Sequence, residues 1–339
     1  MFIQSSGRWV VVWSSLLITA VHAAYPTTWP ATWPAPPDLP VAPVVRLWPN
    51  DPPATQTFDV TDKTTARGEP NSPGFNVADI RYPSLMVYLP EKQSGPRAAV
   101  IICPGGGYAY ESLTYEGIDI AKRFAAEGVA GFVLRYRLPD GRPPEAGQLP
   151  LPQQDVLRAI QLIRSRAAEW NVDPQRVGVV GFSAGGHLAA TAATMYDDAR
   201  TLVARADDAV ARTAARPDFA VLIYPVIKMN RQGSHGGSRQ NLLGPEPDAA
   251  LVDRFSNELH VTPRTPPLFV VHPKDDGTVP VANAHLIVEA AKKANVPHDL
   301  VLFEKGGHGF GLGNNAETRT WFLRCMDWLR SQKLIDAKP

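Results

Sequence analysis

From residue 85 onward the chain alternates short apolar runs with longer stretches in which apolar residues recur every three or four positions. The runs at 85–89, 98–102, 131–136, 177–180, 219–224, 268–271 and 300–303 have the length and composition of buried strands. Between them, 117–127, 187–193, 282–294 and 318–329 read as helices. The clearest helix is 155–170, whose Val156, Ile160, Ile163 and Ala167 repeat at the spacing that buries one helical face. Strands that are apolar throughout and separated by helices predict a mostly parallel central sheet with helices on both faces. In such sheets reactive groups gather at the carboxyl ends of the strands.

The first residues break this rhythm. Met1 to Ala23 carry one positive charge at Arg8, an apolar stretch from Trp9 to Val21, and small residues around His22. That pattern predicts a signal peptide over 1–24, cleaved near Ala23 or Ala24, and places the protein in the periplasm or outside the cell. Ser14 and Ser15 interrupt the stretch, which is shorter than the ~20 residues of a bilayer span, so no stable membrane insertion is expected. Residues 25–44 are proline-laden, with Thr28-Trp29-Pro30 echoed by Thr32-Trp33-Pro34, and predict an extended arm or linker. A single domain is expected over 45–335. Within it, 228–253 is rich in Gly, Ser and Pro and reads as a small lid segment or an ordinary solvated loop.

The chain has 339 residues, a formal net charge of +1 and 20% charged residues, with no basic stripe that would suit nucleic acid. A weakly charged substrate fits better. Of its 2 cysteines, Cys103 ends an apolar run and Cys325 lies in an amphipathic stretch, so two separate buried thiols are expected. No clustered Cys/His spacing points to a metal, and no organic cofactor is implied.

The chemistry centres on Gly181-Phe182-Ser183-Ala184-Gly185, which joins the strand at 177–180 to the helix at 187–193. A serine in a sharp strand-to-helix turn stands clear of the backbone, and its flanking glycines avoid collisions that a Cβ would cause. A serine hydroxyl is a weak nucleophile, so it needs a base and a group to orient that base. Two downstream loops, each following a strand, supply them. Asp276, with Asp275 beside it as a weaker alternative, follows 268–271; His308, flanked by glycines, follows 300–303. Backbone N–H groups must also meet the developing oxyanion. Ala184 at the helix start, with Gly106 and Gly107 of Cys103-Pro104-Gly105-Gly106-Gly107-Tyr108, are the expected donors. That glycine run lacks the Lys and Ser/Thr of a nucleotide loop. His187 and His272 read as packed supporting groups, while His235, His260, His285 and His298 show no partner pattern.

Taken together, these motifs resemble the acetylxylan and feruloyl esterase-like group of the α/β-hydrolases, related to the prolyl oligopeptidase and hormone-sensitive lipase branches. The matching residues include Leu47-Trp48-Pro49, Leu134-Arg135-Tyr136-Arg137, Tyr224-Pro225, Asn241-Leu242-Leu243-Gly244, Ser256-Asn257-Glu258-Leu259 and Gly306 to Phe310, besides the serine and glycine loops. The resemblance runs from about Val45 to Leu329. A proline, Pro104, stands where lipases of this type carry a histidine before the glycines. By the resemblance Ser183 is the nucleophile, Asp276 the orienting acid and His308 the base, with Tyr108 either at the rim of the acyl pocket or packed beneath the loop. It implies a serine esterase removing acyl groups, acetyl foremost, from xylan or xylo-oligosaccharides. Feruloyl or general carboxylesterase activity is the main alternative; a prolyl-oligopeptidase-type peptidase and a non-catalytic binding protein are weaker ones.

Overall fold

The computed structural model describes residues 42–48, 63–67, 74–91, 95–139, 141, 144, 148–201 and 208–337. The expected signal peptide and most of the proline-rich arm lie outside these residues. The region Val41–Pro339 forms one compact unit. Among the described residues no helix is long and apolar enough to cross a membrane.

Eight strands make the main sheet: β1 (Val44–Arg46), β4 (Ser84–Tyr88), β5 (Arg97–Cys103), β6 (Ala130–Arg135), β7 (Val172–Phe182), β8 (Ala220–Ile223), β9 (Leu268–Pro273) and β10 (His298–Phe303). They lie in the order β1-β4-β6-β5-β7-β8-β9-β10. All pairings from β6 to β10 are parallel, while β1–β4 and β4–β6 are antiparallel, so the sheet is mostly parallel as expected. A separate antiparallel pair, β2 (Lys63–Arg67) and β3 (Gly74–Ala78), was not foreseen.

Every residue of β5, β8 and β9 is buried. Burial on both pleats requires cover on both faces, which explains why these strands read as unbroken apolar runs. On one side α1 (Asp119–Ala126) meets α7 (Trp321–Ser331), with the Phe124 and Phe322 rings 4.9 Å apart. Elsewhere α2 (Leu151–Ser165) and α3 (Ala184–Thr194) pack against β7, and α6 (Ala282–Lys293) against β9 and β10.

The segment 228–253 is more ordered than a Gly/Ser/Pro-rich composition suggests. It contains α4 (Gly236–Leu243), capped by the His235 ring, and α5 (Ala249–Arg254), capped by the Asp248 carboxylate. Helix α2 starts at Leu151, earlier than its apolar repeat indicated, because its first turns bury polar residues. There Asp155 forms a fully buried ion pair with Arg137 at 2.7 Å and also accepts from Trp48 Nε1 at 3.3 Å, which links the Leu-Trp-Pro and Leu-Arg-Tyr-Arg motifs. Cys103 and Cys325 are both free and buried, as expected.

Candidate active site

Ser183 sits between β7 and α3 with φ 53° and ψ −117°, a backbone conformation that non-glycine residues rarely adopt. Its neighbours must be glycines. A Cβ on Gly181 would fall 2.1 Å from the Gly185 carbonyl oxygen, and one on Gly185 would fall 2.1 Å from that of Cys103. The same tight contact presses the end of β5 against the start of α3. The glycine loop after β5 therefore abuts the serine, and a Cβ on Gly105 would come 3.0 Å from Ser183 Cβ.

Three side chains from three strand ends meet at this point. His308 Nε2 lies 2.8 Å from Ser183 Oγ, and His308 Nδ1 lies 2.7 Å from Asp276 Oδ2. A carboxylate only accepts, so Nδ1 carries the proton and Nε2 presents a lone pair to the serine hydroxyl. Asp276 is held by an unusually full set of donors. Its Oδ1 accepts from the N–H groups of Thr278 and Val279, each at 2.9 Å, and His272 Nε2 stands 3.4 Å from Oδ2. Burial alone would raise the Asp276 pKa, but the hydrogen bonds from His272 and His308 override it and hold the carboxyl well below the usual range. Asp276 is thus ionised wherever His308 must become a cation.

Asp275 turns to a different task. Its Oδ1 accepts from Gly306 N–H and Gly307 N–H, both at 2.9 Å, so it shapes the loop that carries His308 and does not touch the ring. His272 and His187 are fully buried supporting groups, as their positions suggested.

The expected oxyanion donors are available. Among the described residues the N–H groups of Gly106, Gly107 and Ala184 have no hydrogen-bond partner, whereas Gly105 N–H is taken by Glu116 Oε2 at 2.8 Å. Gly106 at φ 131° and Gly107 at φ 65° adopt backbone angles that only glycine takes without strain. Where a histidine would precede the glycines, the Pro104 carbonyl accepts instead from Tyr136 Oη at 2.7 Å.

Of the two readings of Tyr108, the rim position is corrected. The ring is 1% exposed beneath the loop, with its hydroxyl 2.8 Å from His187 Nδ1. His187 Nε2 faces the Phe255 carbonyl at 2.8 Å and must donate there, so Nδ1 accepts from Tyr108. Burial in this pocket pushes the His187 pKa down to about 4.

Sequence reasoning missed three residues around the site. Glu116 ties Gly105 N–H to the Tyr224 hydroxyl at 2.8 Å, and Tyr224 Oη accepts from Gly311 N–H at 3.1 Å. Tyr224 also lies against the His308 ring, their centroids 4.9 Å apart. His235, for which no partner was expected, stands over the glycine loop. Among the described residues no group of three or more His, Cys, Asp or Glu side chains is placed to hold a metal ion.

A parallel sheet with a strained serine at a strand-to-helix turn, a histidine and an aspartate at later strand ends, defines an α/β-hydrolase with a Ser–His–Asp triad. The chain belongs to the BD-FAE family, whose model matches residues 85–290. It is 35% identical over 263 residues to an acetylxylan esterase of Xylanibacter ruminicola, covering 76% of this chain and 50% of the relative. It is 32% identical over 239 residues to endo-1,4-beta-xylanase B of Butyrivibrio fibrisolvens, covering 70% of this chain and 36% of the relative. The chain thus spans half or less of these two curated relatives. Among solved structures, an acetyl ester-xyloside bifunctional hydrolase from Caldicellulosiruptor lactoaceticus aligns with a TM-score of 0.73 at 34% identity, over 88% of this chain and 99% of the other. A propionate-bound esterase from Thermogutta terrifontis aligns with a TM-score of 0.64 at 26% identity, over 89% and 98%.

Proposed function

We propose that the protein is an exported serine esterase that removes acyl groups, acetyl foremost, from xylan or xylo-oligosaccharides. The observation that carries the chemistry is the Ser183–His308–Asp276 chain of hydrogen bonds at 2.8 and 2.7 Å. His308 Nε2 takes the Ser183 proton as Oγ attacks the ester carbonyl. The carbonyl oxygen becomes an oxyanion held by the N–H groups of Gly106, Gly107 and Ala184. Collapse breaks the bond to the sugar oxygen, which receives the proton from His308, leaving an acyl-serine. Water then loses a proton to His308 and attacks the acyl carbon; the carboxylic acid leaves and Ser183 regains its proton. Asp276 stays anionic throughout and stabilises the imidazolium.

The choice of a carbohydrate ester is supported by relatives named for acetylxylan and xyloside hydrolysis. Export is inferred from the leader-like residues 1–24. The test is to incubate the protein with acetylated and feruloylated xylan and quantify acetate and ferulate, with Ser183→Ala as control. Acetate is expected from the wild type, with the variant lower by at least about 10⁴-fold. Predominant ferulate would reassign the acyl group, and acetate release undiminished in the variant would end the serine mechanism.

A further inference from the structure

The structure assigns His235 a role that rests on the carbohydrate-esterase reading. We propose that its Nε2–H donates to the sugar side of the substrate, at a hydroxyl or ether oxygen on the carbon next to the scissile ester.

The inference starts from the tautomer. His235 caps α4, its Nδ1 accepting from Ser238 N–H at 3.2 Å with Ser238 Oγ 2.8 Å away. Nδ1 is therefore the bare nitrogen, and in the neutral ring the proton resides on Nε2. Among the described residues Nε2 has no partner. The ring is half-buried yet keeps a free donor.

Position comes next. His235 Cε1, the carbon between the two nitrogens, lies 3.5 Å from where a Gly107 Cβ would stand. The ring is thus in contact range of the very loop whose N–H groups are free. The contact is braced from the same helix, because Asn241 Nδ2 donates to the Gly107 carbonyl at 2.8 Å. Burial lowers the His235 pKa, and nearby His308 lowers it further while Asp276 raises it, which favours the neutral ring.

His308 delivers a proton to the departing sugar oxygen, and a free donor on a ring beside the oxyanion loop, with His308 near enough to lower its pKa, is available to the alcohol half of the ester. On a pyranose ring the carbon beside an acetylated oxygen bears a hydroxyl or a ring-linked ether, either of which accepts one hydrogen bond. An aryl leaving group has neither.

The test compares His235→Asn with the wild type on acetylated xylo-oligosaccharides and on nitrophenyl acetate. Asparagine still caps α4 through its side-chain oxygen but cannot reach with an Nε2–H. The loss in kcat/KM on the oligosaccharide is expected to exceed that on nitrophenyl acetate by about tenfold, the value of one hydrogen bond, and to appear in KM. Equal losses on both substrates, or no loss on either, would overturn the role of His235 and leave the esterase reading intact. A wild type that cleaves nitrophenyl acetate but frees no acetate from oligosaccharides would remove the carbohydrate reading and the sugar-side donor with it.

Discussion

At the scale of single residues, two adjacent aspartates divide the work that the sequence left between them. Both follow β9, and both are carboxylates in a loop, so composition could only favour one. What separates them is direction: Asp276 Oδ2 meets His308 Nδ1 at 2.7 Å, while Asp275 Oδ1 holds Gly306 and Gly307 N–H. Asp276→Asn places an amide where only an acceptor fits, and when its N–H₂ faces the ring the imidazole is driven to the wrong tautomer. A fall in kcat of about 10³–10⁴-fold is expected, with circular dichroism unchanged. Asp275→Asn retains an oxygen for the two glycine N–H groups, and its kcat should fall no more than about threefold. The reverse order in steady-state assays would reassign the acid. Tyr108 shows the limit of reading at this scale. A tyrosine after three glycines suits both a pocket rim and a buried brace, and the deciding partner, His187, is 79 positions away in the chain.

At the scale of elements, the strands of the parallel half were legible because burial on both faces leaves a continuous apolar run. The parts that escaped notice have no such signature. Strand β2 is polar, as Lys63-Thr64-Thr65-Ala66-Arg67 shows, the apolar residues of its partner β3 are interrupted by Asn76, and α4 and α5 are too short to establish a helical repeat. Loop coupling was equally hidden. Glu116 precedes α1 in a π-helical turn, Thr114–Ile118, and nothing in its sequence neighbourhood marks it. Yet its carboxylate accepts from Gly105 N–H and Tyr224 Oη together, and Tyr224 Oη accepts from Gly311 N–H in the loop that follows His308. The oxyanion loop and the histidine loop are thereby fastened to one buried carboxyl group. In Glu116→Gln a single amide oxygen remains, so the N–H₂ faces one of the two donors and leaves a buried polar group unmatched. As a positioning residue, Glu116 should affect kcat more than KM: a fall of about tenfold in kcat with KM within about twofold is expected from initial-rate measurements. Tyr224→Phe, which cuts the link to Gly311 but spares that to Gly105, should lose less. A change confined to KM in either variant would argue against loop positioning.

At the scale of the whole molecule, one buried histidine joins structures that lie far apart in the sequence, and it makes stability depend on pH. His187 projects from α3, accepts from Tyr108 beneath the glycine loop and donates to the Phe255 carbonyl beyond α5; all three residues are buried. Its neighbours supply one donor and one acceptor, so the site is matched to a neutral ring. Protonation would put a hydrogen on Nδ1 against the Tyr108 hydroxyl and leave a charge without a carboxylate among its hydrogen-bond partners. Burial accordingly lowers its pKa from 6.5 to about 4. Below pH 6.5 the unfolded chain takes up a proton that the folded chain refuses, so stability drops as pH falls and the full loss is reached only below pH 4. Between pH 7 and pH 5 this group alone should remove about 2 kcal/mol. Urea unfolding at the two pH values measures the difference directly. His187→Asn, which cannot titrate, should be less stable than the wild type at pH 7 because it breaks the Tyr108 and Phe255 contacts. It should also show a decline toward pH 5 that is shallower by about 2 kcal/mol. An equally steep decline in the variant would place the acid sensitivity elsewhere. Because Tyr108 lies under the oxyanion loop, protonating His187 in the folded chain, which requires a pH below about 4, should also loosen that loop, so esterase activity lost on exposure below pH 4 should return on restoring pH 7 as the native packing reforms.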